Sequence, residues 1–170
     1  MAAAHWPVVL LGLTVAVIAQ RADAQQSTTA TYEDWTVRCS TGAGSPPQKS
    51  CDMEQLSYGE SKEQPFSRLA IWRDNGKQVS LVVQVPVSVW LATGLRIEIG
   101  GKYIGLSAPF SRCGPAGCFA EIGLTAEVQK QFLTATEAGR ILYKNTAQQD
   151  VAIPLSFKGF GQAFDGLAKN

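Results

Sequence analysis

The chain contains a single histidine, His5, and it lies within the apolar stretch that opens the sequence. If that stretch is removed as a leader, the remaining protein has no imidazole. Ser-His-Asp and Cys-His nucleophilic sites and histidine-ligated zinc are then excluded together. Charge is also scarce. Charged residues make up 17% of the 170 positions, the formal net charge is +1, and no like-charge run exceeds a pair such as Glu33-Asp34. Nothing here forms a basic field for nucleic acid or anionic lipid. The glycines around Gly42 and Gly100 lack the GxxxxGK[ST] order that cradles phosphates. Neither a metal nor a cofactor is expected.

What is present begins with a leader. The run from Val8 to Ala19 is apolar and is followed by Ala22-Asp23-Ala24, the hydrophobic region and small-residue site of a secretory signal peptide. The run is shorter than the roughly 20 residues that span a bilayer. Cleavage is expected after Ala24. The organisation read from the sequence is therefore a signal peptide over 1–24, a flexible mature N-terminus over 25–32 and one β-rich domain over 33–170. No later stretch reaches transmembrane length, so no span is expected after cleavage. With 45% apolar residues, the domain can fill a core of its own.

Export places Cys39, Cys51, Cys113 and Cys118 in an oxidising compartment, where four cysteines read as two disulfides with three possible pairings. The local pairing, Cys39 with Cys51 and Cys113 with Cys118, is preferred because each pair brackets a turn-rich segment. The chain-entropy model assigns about 3 kcal/mol to the longer loop and about 2 kcal/mol to the shorter. A redox-active pair usually has two intervening residues and a helix N-terminus beside it; Cys113 and Cys118 have four, and a strand follows. A structural role is the better reading.

Strand signals dominate the rest. Trp35 to Cys39 alternates, with Trp35, Val37 and Cys39 on one side, and Asp52 to Tyr58 is a weaker strand candidate. Phe66 to Arg73 and Val79 to Val85 flank Asn75-Gly76, a hairpin signal because both turn residues tolerate positive φ. Leu95 to Ile99 turns through Gly100-Gly101 into Tyr103 to Leu106. The Cys113 to Cys118 loop joins two further alternating runs, with Cys118, Ala120 and Ile122 sharing one face. Thr125 can cap a short helix carrying Val128, Phe132 and Leu133 as its apolar stripe. Arg140 to Lys144 and Val151 to Leu155 return to strand character, and Gly159 to Leu167 reads as a short helical turn or a loop. Many short strands and one helix predict an all-β fold, an antiparallel β-sandwich or open barrel.

Several of these pieces, taken in order, resemble the invasion-associated locus B family of exported bacterial envelope proteins. They are Trp35-Thr36-Val37-Arg38-Cys39, the later Cys51, Val85-Pro86 leading to Gly94-Leu95, the Cys113 to Cys118 loop ending in Phe119-Ala120, and Pro154-Leu155-Ser156-Phe157-Lys158-Gly159-Phe160. The resemblance implies an all-β protein of the periplasm or outer envelope, named for a part in host-cell invasion in some pathogens. It implies no known reaction.

The leading expectation is a non-enzymatic protein acting through its surface on an envelope or host protein or glycan. Its candidate interaction surface is Trp72, Trp90, Arg68 and Arg112, with Tyr58, Phe66 and Tyr103 nearby, because aromatic and arginine side chains concentrate binding energy. Trp35 reads as core. A first alternative is a carboxylate-based hydrolase of envelope glycans, for which Glu98 and Glu121 are the best candidates and which needs two carboxyl groups about 5 to 10 Å apart in one cleft. A second is a small-ligand binding protein, which needs an apolar cavity of about 300 Å³ or more between the sheets.

Overall fold

The computed structural model describes residues 26–42, 46–73 and 78–168. The leader, its cleavage site and the Asn75-Gly76 turn lie outside them. Period-two alternation produces strands β1 (Ser27–Tyr32), β2 (Trp35–Thr41), β3 (Lys49–Tyr58), β4 (Pro65–Arg73), β5 (Val79–Val85), β6 (Leu95–Ile99), β7 (Lys102–Ala108), β8 (Phe110–Gly114), β9 (Gly117–Leu124), β10 (Gly139–Lys144) and β11 (Asp150–Leu155). Two helices join them, α1 (Ala126–Thr134) and α2 (Phe160–Ala168). Every pairing is antiparallel, in a seven-stranded sheet ordered β1-β2-β3-β4-β5-β9-β8 and a four-stranded sheet ordered β11-β10-β6-β7.

Register assembles the core. Val37 faces Met53, Met53 faces Ile71, Ile71 faces Leu81 and Leu81 faces Ile122, one apolar row across five strands. Ile153, Ile141 and Ile97 make the matching row in the smaller sheet. The two inner faces share one buried cluster, and helix α2 closes it against β1 to β4. Trp35 is fully buried there: its Nε1 donates to the Ser156 carbonyl at 2.9 Å, and its ring meets Phe160 edge-on at 5.1 Å. Pairing the indole N–H is what makes so deep a burial favourable.

Both disulfides form as expected, Cys39–Cys51 and Cys113–Cys118. Each joins residues directly opposite on neighbouring strands. The second brackets the Pro115-Ala116 turn, where Gly117 takes φ 133 and a Cβ would collide with the Val85 carbonyl. The Thr125 hydroxyl caps α1 by accepting from Val128 N at 3.3 Å.

Three details differ from the sequence reading. Ser27–Tyr32, within the segment expected to be flexible, is strand β1 in unbroken register with β2; backbone pairing, not apolar content, holds it. Leu133 is 47% exposed, so the buried stripe of α1 is Val128 and Phe132 alone. Gly159 to Leu167, open between turn and loop, forms α2, whose Phe160 and Phe164 dock on the core despite two helix-weakening glycines.

Candidate functional site

The outer face of the seven-stranded sheet gathers most of the candidate surface. Leu56, Arg68, Gln84, Phe119 and Arg112 face one another in turn across β3, β4, β5, β9 and β8. Trp72 lies on the same face of β4, one pleat beyond Ala70. The Arg112 guanidinium stacks over the Phe119 ring at 4.3 Å, a cation–π contact that holds both in place. At the end of the same face, Tyr58 and Phe66 are 48% and 37% exposed.

Arg68 is already engaged. Its Nη2 donates to Asp52 Oδ2 at 2.8 Å and its Nε to Glu54 Oε2. On the other side Arg38 Nη2 lies 2.7 Å from Glu54 Oε1 as an ion pair, without the alignment of a hydrogen bond. Glu54 is only 2% exposed although it points away from the core; its long arginine neighbours cover it. Burial raises the pKa of Asp52, opposed chiefly by Arg68, with Glu54 adding to the rise and Arg38 opposing it.

Trp90 stands apart from that face. It lies where the chain leaves β5 for the smaller sheet, its N–H donating to the Lys144 carbonyl at 2.7 Å. Val87, Trp90 and Leu91 are 58%, 40% and 57% exposed, and the Cys118 sulfur lies 3.9 Å from the Val87 carbonyl. Because Arg68 pairs with Gln84, Phe66 flanks this exit from β5. The structure thus groups Arg68, Trp72 and Arg112 on one face and places Trp90 off it, in the crossing to the smaller sheet, bonded to Lys144. Tyr103 is on the smaller sheet.

The hydrolase candidates do not meet. Glu98 is on the outer face of the four-stranded sheet, held by Arg140 at 2.8 Å and Arg96 at 3.4 Å. Glu121 is on the outer face of the other sheet, facing Val82. With the core between them, they cannot flank one bond. Among the described residues, one open pocket of about 220 Å³ lies over Arg96, Tyr103, Leu142 and Lys144 and another of about 270 Å³ lies beside Ile99, Ile104 and the end of α1. Both fall short of the expected 300 Å³ ligand cavity, and neither lies between the sheets. Among the described residues no group of three His, Cys, Asp or Glu side chains could hold a metal ion, and no helix is long and apolar enough to cross a membrane.

Sequence reasoning missed the Phe119–Arg112 stack and the buried Glu54. Strand parity assigns these residues to outer positions, but only the strand order makes them neighbours.

Comparison with known proteins agrees with this architecture. The family model described as Invasion associated locus B (IalB) protein matches residues 35–168. An Invasion protein B homolog of Brucella abortus (strain 2308) is 29% identical over 137 residues, covering 81% of this chain and 77% of that protein. The homolog of Brucella abortus biovar 1 (strain 9-941) matches equally. The crystal structure of invasion associated protein B from Bartonella henselae superposes with a TM-score of 0.74 at 16% identity, covering 84% of this chain and 95% of that one.

Proposed function

The chain belongs to the invasion associated locus B family, and from that premise we propose that it is an exported envelope protein that acts by docking another protein rather than by a reaction. The docking surface is the end of the outer face of the seven-stranded sheet, where Tyr58, Phe66, Arg112 on Phe119, and the Val87–Trp90–Leu91 exit converge. The observation that carries this reading is the convergence itself. Of the large apolar side chains left exposed among the described residues, Tyr58 and Phe66 lie at one end of the seven-stranded sheet, and Val87, Trp90 and Leu91 lie in the segment by which the chain leaves that end for the smaller sheet. Apolar side chains concentrated in this way mark interaction sites, and aromatic and arginine residues are the usual anchors. The partner is a protein of the envelope or of a host cell, and the role is in invasion or in the envelope. Both disulfides suit the oxidising compartment that export supplies.

A photo-crosslinking side chain at Phe66, with a control at Leu133, tests the surface in envelope and host-membrane extracts. Adducts should form from Phe66 and disappear when Tyr58→Ala and Arg112→Ala are added. Equal adducts from both positions would sink the reading. Export predicts a native mass beginning at Gln25; a native chain retaining Met1 would remove it.

A further inference from the structure

Among the described residues the two sheets leave four edges, β1 and β8 in the larger, β7 and β11 in the smaller. An edge is a row of unpaired N–H and C=O groups that templates another strand, and proteins guard it with charge, proline, bulges or a covering element. Three of these edges are guarded. Strand β8 is short, carries Arg112, shifts register between Phe110 and Arg112, and is stapled to β9. Strand β7 carries Lys102, a register shift against β6, and helix α1 packed on it. Strand β11 opens with Asp150 and contains Pro154, which donates nothing. Strand β1 has no charge, proline or register shift, and although α2 packs against it, that contact leaves Ser27 to Thr31 uncovered. It reads Ser-Thr-Thr-Ala-Thr-Tyr, its register to β2 is unbroken, and its first five residues are exposed.

The groups it offers can be assigned. Thr41 N donates to the Gln26 carbonyl at 3.0 Å, so these residues form a hydrogen-bonded pair, and alternation makes Thr28, Ala30 and Tyr32 the residues bonded to β2. The 4.1 Å Cα separation of Cys39 and Cys51 agrees, because it marks a non-hydrogen-bonded pair and turns the Cys39 backbone toward Thr28. Ser27, Thr29 and Thr31 therefore point their N–H and C=O groups away from the sheet.

We infer that β1 is the contact between two copies of this chain, paired antiparallel about a two-fold axis at Thr29. Thr29 then faces its own copy and Ser27 faces Thr31 of the second copy, each pair exchanging two hydrogen bonds. All the facing side chains are hydroxyl-bearing and neutral, so no like charges oppose. A foreign peptide docking on an edge draws its specificity from side-chain pockets beside it; the side chains of Ser27 to Thr31 are short or hydroxyl-bearing and exposed, so the edge offers chiefly its main chain. Main-chain self-pairing fits what the edge provides, and it joins two seven-stranded sheets into one. The contact is small and the dimer correspondingly weak.

Cysteine scanning of the purified chain tests the axis. A hydrogen-bonded pair sets Cα atoms about 5.5 Å apart, within disulfide reach. Thr29→Cys should give a covalent dimer on mild oxidation, whereas Ser27→Cys and Thr31→Cys alone should not, and the two together should. Sedimentation of the wild type should show reversible dimer on approaching about 1 mM, the millimolar end of the affinity range. Thr29→Pro, which removes an outward N–H, and Thr29→Lys, which places like charges at the axis, should each weaken it at least about tenfold. A wild type that stays monomeric, crosslinking equal at all three positions, or a dimer indifferent to both Thr29 variants while the circular dichroism stays native, would overturn the inference.

Discussion

The two sheets are held by different means. The seven-stranded sheet carries both disulfides, each between directly facing residues, and a carboxylate, Glu54, buried between two arginines. The four-stranded sheet has no disulfide. Its ion pairs, Arg140 and Arg96 on Glu98 and Lys144 on Asp150, involve partly or largely exposed partners, and its inner face rests on Ile97, Ile141 and Ile153. Alternate charges on a strand therefore have two outcomes. On the wide sheet the neighbouring side chains desolvate Glu54 almost completely; on the narrow one Glu98 keeps some access to water and both its arginine partners are exposed. A desolvated charge depends strongly on its partners, whereas a screened pair contributes little.

The largest test of this contrast is to strip the partners from each carboxylate. Arg38→Met with Arg68→Met keeps apolar cover over Glu54 while removing both of its charged partners and should cost about 3 kcal/mol in denaturant unfolding, with Glu54→Gln recovering much of it. Arg96→Ala with Arg140→Ala should cost about 1 kcal/mol or less. Equal losses would erase the distinction.

Next in size is the shorter staple. Cys113→Ser with Cys118→Ser should cost about 2 kcal/mol, with amide protection lost in β8 and β9 and retained in β10 and β11. Loss spread evenly over both sheets would mean that the staple serves the whole domain.

The smallest effect is on pH dependence, and the two sheets should differ in sign. The pKa of Asp52 is raised above 3.8 in the fold, chiefly by burial, so its penalty is absent below 3.8 and grows as pH rises through the folded pKa. The pKa of Asp150 is lowered below 3.8, chiefly by the Lys144 hydrogen bond, so its contribution is present above 3.8 and lost as pH falls through the folded value. Asp52→Asn should therefore flatten the decline in melting temperature above 3.8, and Asp150→Asn the acid loss below it.

Much of this architecture was legible in the residues. The two hairpins at 66–85 and 95–106, the cysteine pairing and the cap at Thr125 follow from period-two alternation, turn chemistry and local spacing. Strand β1 was not, because Ser27 to Thr31 lack the apolar alternation that marks a half-buried strand. Helix α2 was ambiguous because Gly161 and Gly166 weaken a pattern that Phe160 and Phe164 carry through packing. The candidate surface was legible only in its ingredients. Arg68 and Trp72 lie on β4 and Arg112 on β8, and whether those strands share a sheet depends on the order β3-β4-β5-β9-β8, which no local pattern encodes. The same missing information made Glu98 and Glu121 resemble a pair.

Trp35, at the start of β2, reaches its hydrogen-bond acceptor only at Ser156 and its ring partner only at Phe160. The nascent chain therefore carries this indole without its native acceptor or ring partner until Ser156 and Phe160 have been made, and the domain cannot close until α2 emerges. Contacts so distant in sequence slow folding. An abortive product lacking α2 would be left with an open, sticky interior, the kind of defect that chaperones and proteases detect.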